Sequence, residues 1–130
     1  MLACGGRGAL GFLPSYSVHP LIAKATGTKW ISGERESPFN LDIKKSVIAV
    51  LEIKPGITFI TTPNNPTGTS TPYADLEELA IACSKVEGLL VVDEAYAEFS
   101  QEKSAVNLIE QYPNVVVVRT MSKAFAFAGA

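Results

Sequence analysis

The sequence predicts an α/β fold in which helices cover both faces of a mostly parallel sheet. Short apolar stretches alternate along the chain with longer segments whose apolar residues recur at helical spacing. The short stretches are continuously apolar, which is typical of strands buried on both faces of a parallel sheet. The chain has 130 residues, 47% of them hydrophobic, and is therefore long enough for one domain with a substantial core.

The first part of the chain alternates strand and helix. The apolar segment Ala9 to Leu13 ends at a proline and predicts a short strand. The spacing of apolar residues predicts a helix from Tyr16 to Ala25, followed by a brief strand from Lys29 to Ser32. A second helix is predicted to begin at Leu41-Asp42 and to end before Pro55-Gly56, since proline and glycine together interrupt a helix.

The same alternation continues to the end of the chain. Ile57 to Thr61 is rich in β-branched residues and predicts a buried strand. A third helix is predicted from about Tyr73 to Val86, and another strand from Leu89 to Val92. A short helix is predicted near Ala105 to Gln111, and the four valines Val115 to Val118 predict the last strand.

Composition and charge exclude several classes of protein. Charged residues make up 18% of the chain and the formal net charge is -2, which excludes a disordered acidic or basic tail. Because the basic residues are scattered, we expect neither nucleic acid nor a membrane surface as a partner. Cys4 and Cys83 lack the spacing of a metal site, so we expect no metal and two reduced thiols in a cytoplasmic protein.

Polar side chains follow three successive predicted strands. Asn65 follows the first, Asp93 and Tyr96 follow the second, and Lys123 follows the third. Each alone has an ordinary explanation, as a turn residue, a cap, a packed aromatic or a surface lysine. In an open α/β sheet, however, ligands bind outside the carboxyl ends of the strands. The shared location therefore favours one site to which all four side chains contribute.

Three motifs, in this order and at these separations, resemble those of the pyridoxal-phosphate aminotransferases of fold type I. They are Asn65-Pro66-Thr67-Gly68, Asp93-Glu94-Ala95-Tyr96 and Ser122-Lys123-Ala124-Phe125. The longer stretches around the first two, together with Phe12 to Pro20, are similar to the histidinol-phosphate branch of that family. The resemblance extends over essentially the whole chain. Aromatic aminotransferases share these motifs, so an aromatic aminotransferase is the alternative to the histidinol-phosphate branch.

The resemblance implies pyridoxal 5'-phosphate as the cofactor, and an amino donor and a 2-oxo acid as substrates. For the full-length parent it implies transamination of histidinol phosphate with 2-oxoglutarate, which gives imidazole acetol phosphate and glutamate. It also implies a homodimer. The alternatives are an aromatic or aspartate aminotransferase, or a catalytically inert fragment.

The resemblance also implies roles for single residues. Lys123 would bond to the cofactor aldehyde and later carry the substrate proton, which requires an amine held away from bulk water. Asp93 would pair with the pyridinium nitrogen and keep it protonated. Asn65 and Tyr96 would donate hydrogen bonds to the phenolic oxygen of the cofactor.

Other residues have supporting roles by the same resemblance. Tyr16 would stack on the cofactor ring, and Thr120 and Ser122 would bind its phosphate through their hydroxyls. Arg7, in a loop rich in glycine, is a lesser candidate for a phosphate contact. His19 is expected to serve local structure rather than catalysis.

Members of this family are much longer than 130 residues. We therefore expect residues 1–130 to be part of the large, cofactor-binding domain, without the N-terminal arm and the C-terminal small domain. The strands would then belong to a larger sheet, and their unpaired edges would favour aggregation of the isolated segment.

Overall fold

The computed structural model describes residues 6–129, which form one parallel sheet flanked by helices. The strands are β1 (Ala9–Leu13), β2 (Trp30–Glu34), β3 (Ile57–Thr61), β4 (Leu89–Asp93) and β5 (Val115–Val118). Their order in the sheet is β2-β1-β3-β4-β5, and every neighbouring pair is parallel. The predicted strands at β1, β3 and β5 have the observed bounds.

Three α-helices connect the strands: α1 (Val18–Ala25), α2 (Ile43–Ile53) and α3 (Tyr73–Lys85). The carboxylate of Asp42 accepts a hydrogen bond from the backbone N–H of Lys45 at 3.1 Å, which satisfies one free donor at the start of α2. The helix ends where Lys54 takes a left-handed conformation with φ of 51°. No helix within residues 6–129 is long and apolar enough to cross a membrane.

The helices lie on both faces of the sheet, which confirms the predicted fold class. On one face, α2 and α3 contribute Val50, Leu76 and Leu79 to a core that also contains Leu10 and Ile60 of the sheet. On the other face, α1 lies against β3, where the ring of His19 stacks on Phe59 with centroids 4.7 Å apart. The first face carries the larger apolar cluster and therefore most of the buried apolar area.

Three elements differ most from their predictions, while β4 and α3 each end one residue from the predicted bound. Helix α1 begins at Val18, so Tyr16 precedes the helix. Strand β2 extends to Glu34 because it pairs along the whole of β1, although Gly33 and Glu34 have low strand propensity. The helix predicted over 105–111 is a 3₁₀ turn, Ala105–Leu108, whose two buried residues are three positions apart, as suits a helix with three residues per turn.

The chain direction leaves a crevice at the carboxyl ends of the central strands. After β1 the chain moves to β2 on one side, whereas after β3 it moves to β4 on the other. Strands β1 and β3 pair only as far as Gly11 and Phe59, although β1 pairs with β2 over five residues. Such a divergence of neighbouring connections is where open α/β sheets bind ligands.

Candidate active site

A cavity of about 220 Å³ opens at the carboxyl ends of β3, β4 and β5. Its lining includes all seven residues that the sequence indicates, namely Tyr16, Asn65, Asp93, Tyr96, Thr120, Ser122 and Lys123. These residues come from the segments that follow four different strands, and the parallel sheet brings them together because all four strands end on the same side.

Asp93 ends β4 and is 7% exposed. One carboxylate oxygen, Oδ1, accepts a hydrogen bond from the backbone N–H of Ala95 at 3.0 Å. The other, Oδ2, lies 3.0 Å from Nε2 of His19. An ionised carboxylate can only accept, so the imidazole N–H donates. The carboxylate is therefore held from two sides and oriented within the cavity wall.

The expectation that His19 serves local structure rather than catalysis stays a prediction, to which the structure adds the contact with Asp93. The imidazole lies between two aromatic rings, since it stacks on Phe59 and meets the edge of Tyr16 with centroids 5.7 Å apart. His19 is the only histidine in the sequence and follows Tyr16 by three positions. Tyr16 precedes α1 and His19 lies in its first turn, and the sequence carries no local signal of the contact with Asp93.

Asn64, the residue before Asn65, joins the two loops that border the crevice. Its side-chain amide donates to the carbonyl of Pro14 at 3.0 Å and to the hydroxyl of Thr67 at 2.7 Å. Its side-chain oxygen accepts from the hydroxyl of Ser15 at 2.8 Å. Asn64 is buried, and its neighbour Asn65 is the asparagine that lines the cavity. The first asparagine thus holds the loops at a fixed separation.

Two hydroxyl groups lie together in the loop after β5. Oγ1 of Thr120 and Oγ of Ser122 are 2.7 Å apart, and the backbone N–H of Ser122 donates to Thr120 at 3.1 Å. Both residues line the cavity. Hydroxyls presented in this way can donate to the oxygens of an anion.

Lys123 lies in the same loop, with its amine 5.7 Å from the centre of the Tyr96 ring. The distance is within the range of a cation–π contact. The side chain is exposed, contrary to the expectation of an amine held away from water. Within residues 6–129, no helix or strand follows β5 to cover this loop.

Two arginines lie outside the cavity. Arg7 donates to the carbonyls of Val86 and Glu87, the latter at 2.7 Å, just after α3. These contacts lie at the amino ends of β1 and β4, opposite the end where the cavity opens, and correct the suggestion that Arg7 contacts a phosphate. Arg35 donates to the carbonyl of Thr61 at 3.2 Å, and burial lowers the pKa of its guanidinium to about 10.

Comparison with known proteins agrees with this arrangement of residues. The family described as aminotransferase class I and II matches residues 1–130. The chain belongs to this family. It is 54% identical to the histidinol-phosphate aminotransferases of Nocardia farcinica and Thermobifida fusca, with 95% and 98% of the chain covered. The chain spans about a third of the length of these relatives, 32% and 35% respectively. The predicted family is thereby confirmed.

Solved structures of this family have the same fold. The histidinol-phosphate aminotransferase of Clostridium acetobutylicum superposes with a TM-score of 0.84 at 24% identity, over 95% of this chain and 37% of that one. A PLP-dependent aminotransferase from Streptococcus suis gives a TM-score of 0.80 at 26% identity, over 95% of this chain and 33% of that one. Both aminotransferases contain a segment that folds as residues 6–129 do.

Proposed function

We propose that this chain is part of the cofactor-binding domain of a pyridoxal-phosphate aminotransferase that acts on histidinol phosphate and 2-oxoglutarate. The observation that carries the proposal is the grouping of Asp93, Lys123, Asn65 and Tyr96 around one cavity. The relatives at 54% identity are named histidinol-phosphate aminotransferases, which supports this choice of amino donor.

The chemistry of the cavity residues fits pyridoxal phosphate. A buried carboxylate suits a cationic ring nitrogen, and the Asp93 carboxylate is oriented by two hydrogen bonds before any ligand binds. The paired hydroxyls of Thr120 and Ser122 suit the phosphate. The ring of Tyr16, 40% exposed, offers an aromatic surface for stacking. When bound, the cofactor supplies an aldehyde that takes up the amino group and a ring that accepts electrons.

The residues of the chain then have distinct tasks. Lys123 would hold the cofactor through its aldehyde group, and its amine would move a proton to or from the substrate α-carbon. Asp93, which His19 orients, would pair with the ring nitrogen and keep it charged. Asn65 and Tyr96 would donate hydrogen bonds to the phenolic oxygen. The products would be imidazole acetol phosphate and glutamate.

The homodimer implied by the family resemblance stays a prediction, which the molar mass of the intact protein in solution would test.

The test is to identify the lysine that bonds to the cofactor in the intact protein. Borohydride reduction after addition of pyridoxal phosphate should leave the pyridoxyl group on Lys123. We expect Lys123→Arg to remain unlabelled and to lose about 10²–10⁴-fold in turnover, the range for loss of a positioned proton-transfer group. The control is Lys85→Arg, at the exposed end of α3, which should be labelled like the wild type.

Two results would overturn the proposal. Labelling of a lysine other than Lys123 would remove the role assigned to this site. Faster turnover of phenylalanine than of histidinol phosphate by the intact protein would remove the substrate assignment and favour an aromatic aminotransferase.

A further inference from the structure

Glu94 is a buried carboxylate immediately after Asp93 at the end of β4. It is 3% exposed and does not line the cavity that contains Asp93. Successive side chains along a strand point to opposite faces of the sheet. Accordingly, Asp93 meets His19 of α1 on one face, whereas Glu94 meets the 3₁₀ turn Ala105–Leu108 on the other. A buried charge of this kind requires partners, since burial without them is costly.

Both oxygens of Glu94 have partners. Nε and Nη2 of Arg119 donate to Oε2 at 3.0 and 2.9 Å, and the hydroxyl of Ser104 donates to the same oxygen at 2.8 Å. The backbone N–H of Ala105 donates to Oε1 at 2.6 Å. Arg119 also donates to Ser104 at 3.1 Å, which closes the network. The carboxylate is thus satisfied by three residues, two from the segment between β4 and β5 and one directly after β5.

The Glu94–Arg119 pair lies at the point where the ladder between β4 and β5 ends. The ladder between β4 and β5 ends where Asp93 pairs with Val118. One further backbone bond follows, from the N–H of Glu94 to the carbonyl of Val118 at 2.8 Å. Arg119 is the next residue, and the loop with Thr120 and Lys123 begins directly after it. Arg119 forms two ion pairs with the segment at the end of β4, a close one with Glu94 at 2.9 Å and a longer one with Glu98 at 4.0 Å.

We propose that the Glu94–Arg119 pair positions the two halves of the cofactor site relative to each other. On the β4 side it is one residue from Asp93, assigned to the ring nitrogen. On the β5 side it is one residue from Thr120, assigned to the phosphate. Because both groups contact one rigid ligand, a small change in the angle between the strand ends would misplace one of them. Arg119 itself lines the cavity, so Glu94 is the positioning residue of the pair and Glu94→Gln is the decisive variant. This inference rests on the proposed function.

The test measures cofactor binding separately from stability in the intact protein. Glu94→Gln removes the charge at nearly constant shape, and Arg119→Lys keeps the charge but loses the planar fork. We expect each variant to bind pyridoxal phosphate about 10–100-fold more weakly, measured by absorbance titration, and to shift the pH midpoint of the visible band of the bound cofactor. The control is Tyr112→Phe, which removes a 3.0 Å hydrogen bond to Glu77 and should leave both readouts unchanged, since neither residue lines the cavity.

A double variant separates positioning from stability if a single variant folds poorly. Glu94→Gln with Arg119→Met removes the ion pair, while the Gln side-chain oxygen can still accept from the backbone N–H of Ala105 and the exposed Arg119 side chain gives up little packing. We expect a melting temperature close to that of the wild type with cofactor affinity still reduced. Wild-type affinity in this double variant, or in both single variants, would overturn the inference. If the wild type and Tyr112→Phe themselves bind no pyridoxal phosphate, the proposed function fails instead.

Discussion

At the residue scale, the central feature is that the Asp93 carboxylate has its orientation set before any ligand binds. Its two oxygens are held by different segments, one by the turn after β4 and the other by α1. A charged group fixed in this way needs no reorganisation when a cationic ring nitrogen arrives. Asp93 therefore both caps the following turn and faces the cavity. The two interpretations of this residue, as a cap and as a site residue, are compatible.

Cys83 gives a prediction at the same scale, because α3 buries it almost completely, leaving 1% exposed. Burial raises the pKa of its thiol from 9.0 to about 11. The folded state therefore favours the neutral thiol, which reacts poorly. In a Cys4→Ser background at pH 8, we expect a thiol reagent to modify Cys83 only as fast as the protein unfolds, and at once in concentrated urea.

The raised pKa of Cys83 also has a consequence for stability. Above pH 9 the unfolded thiol loses its proton while the folded one keeps it, so the free energy of unfolding falls as pH rises toward 11. Cys83→Ala should lack this part of the pH dependence. Rapid modification of Cys83 in the folded protein at pH 8 would contradict the burial on which both expectations depend.

The sequence indicates seven residues that the structure brings to one cavity. Two side-chain contacts beside the cavity could not be predicted without the tertiary structure. Asp93 and Lys123 follow apolar strands, and that pattern is readable locally. The contact of His19 with Asp93 joins residues 74 positions apart, and that of Arg119 with Glu94 joins residues 25 positions apart. Neither pairing has a local signature, since each depends on which strands are neighbours.

At the scale of elements, local chemistry decides where helices begin and end. Helix α2 starts one residue after Asp42, whose side chain caps it, and stops at a left-handed lysine before Pro55. The prediction from Leu41-Asp42 and Pro55-Gly56 therefore places both ends to within two residues. Helix α1 has no side-chain cap, and its start was predicted two residues too early.

The cap of α2 can be tested by substitution. Asp42→Ala removes the acceptor for the backbone N–H of Lys45 and should lower the free energy of unfolding by about 1 kcal/mol, measured by urea denaturation. Asp42→Asn keeps an acceptor and should retain most of the stability. The control is Glu52→Ala, on an exposed position of the same helix, which should change stability by less than about 0.5 kcal/mol. Equal effects of the two alanine variants would rule out the capping role.

At the scale of the whole molecule, the strand order determines which strands keep their backbone hydrogen bonds longest as the protein unfolds. Strands β1, β3 and β4 are paired on both sides, whereas β2 lies at an edge among residues 6–129. Central strands lose their hydrogen bonds mainly through global unfolding. We expect backbone amides of β3 and β4 to exchange with deuterium more slowly than those of β2, measured by mass spectrometry or NMR. Slower exchange in β2 than in β3 would contradict this order.

The sequence by itself determined the alternation of strands and helices, the bounds of β1, β3 and β5, and the polar residues at the strand ends. These features are local, because burial on both faces and helical spacing each leave a pattern in neighbouring residues. Only the tertiary structure decided the order β2-β1-β3-β4-β5, the crevice between β1 and β3, and the partners of Asp93 and Glu94. These depend on contacts between distant residues, which the packing of the whole sheet selects.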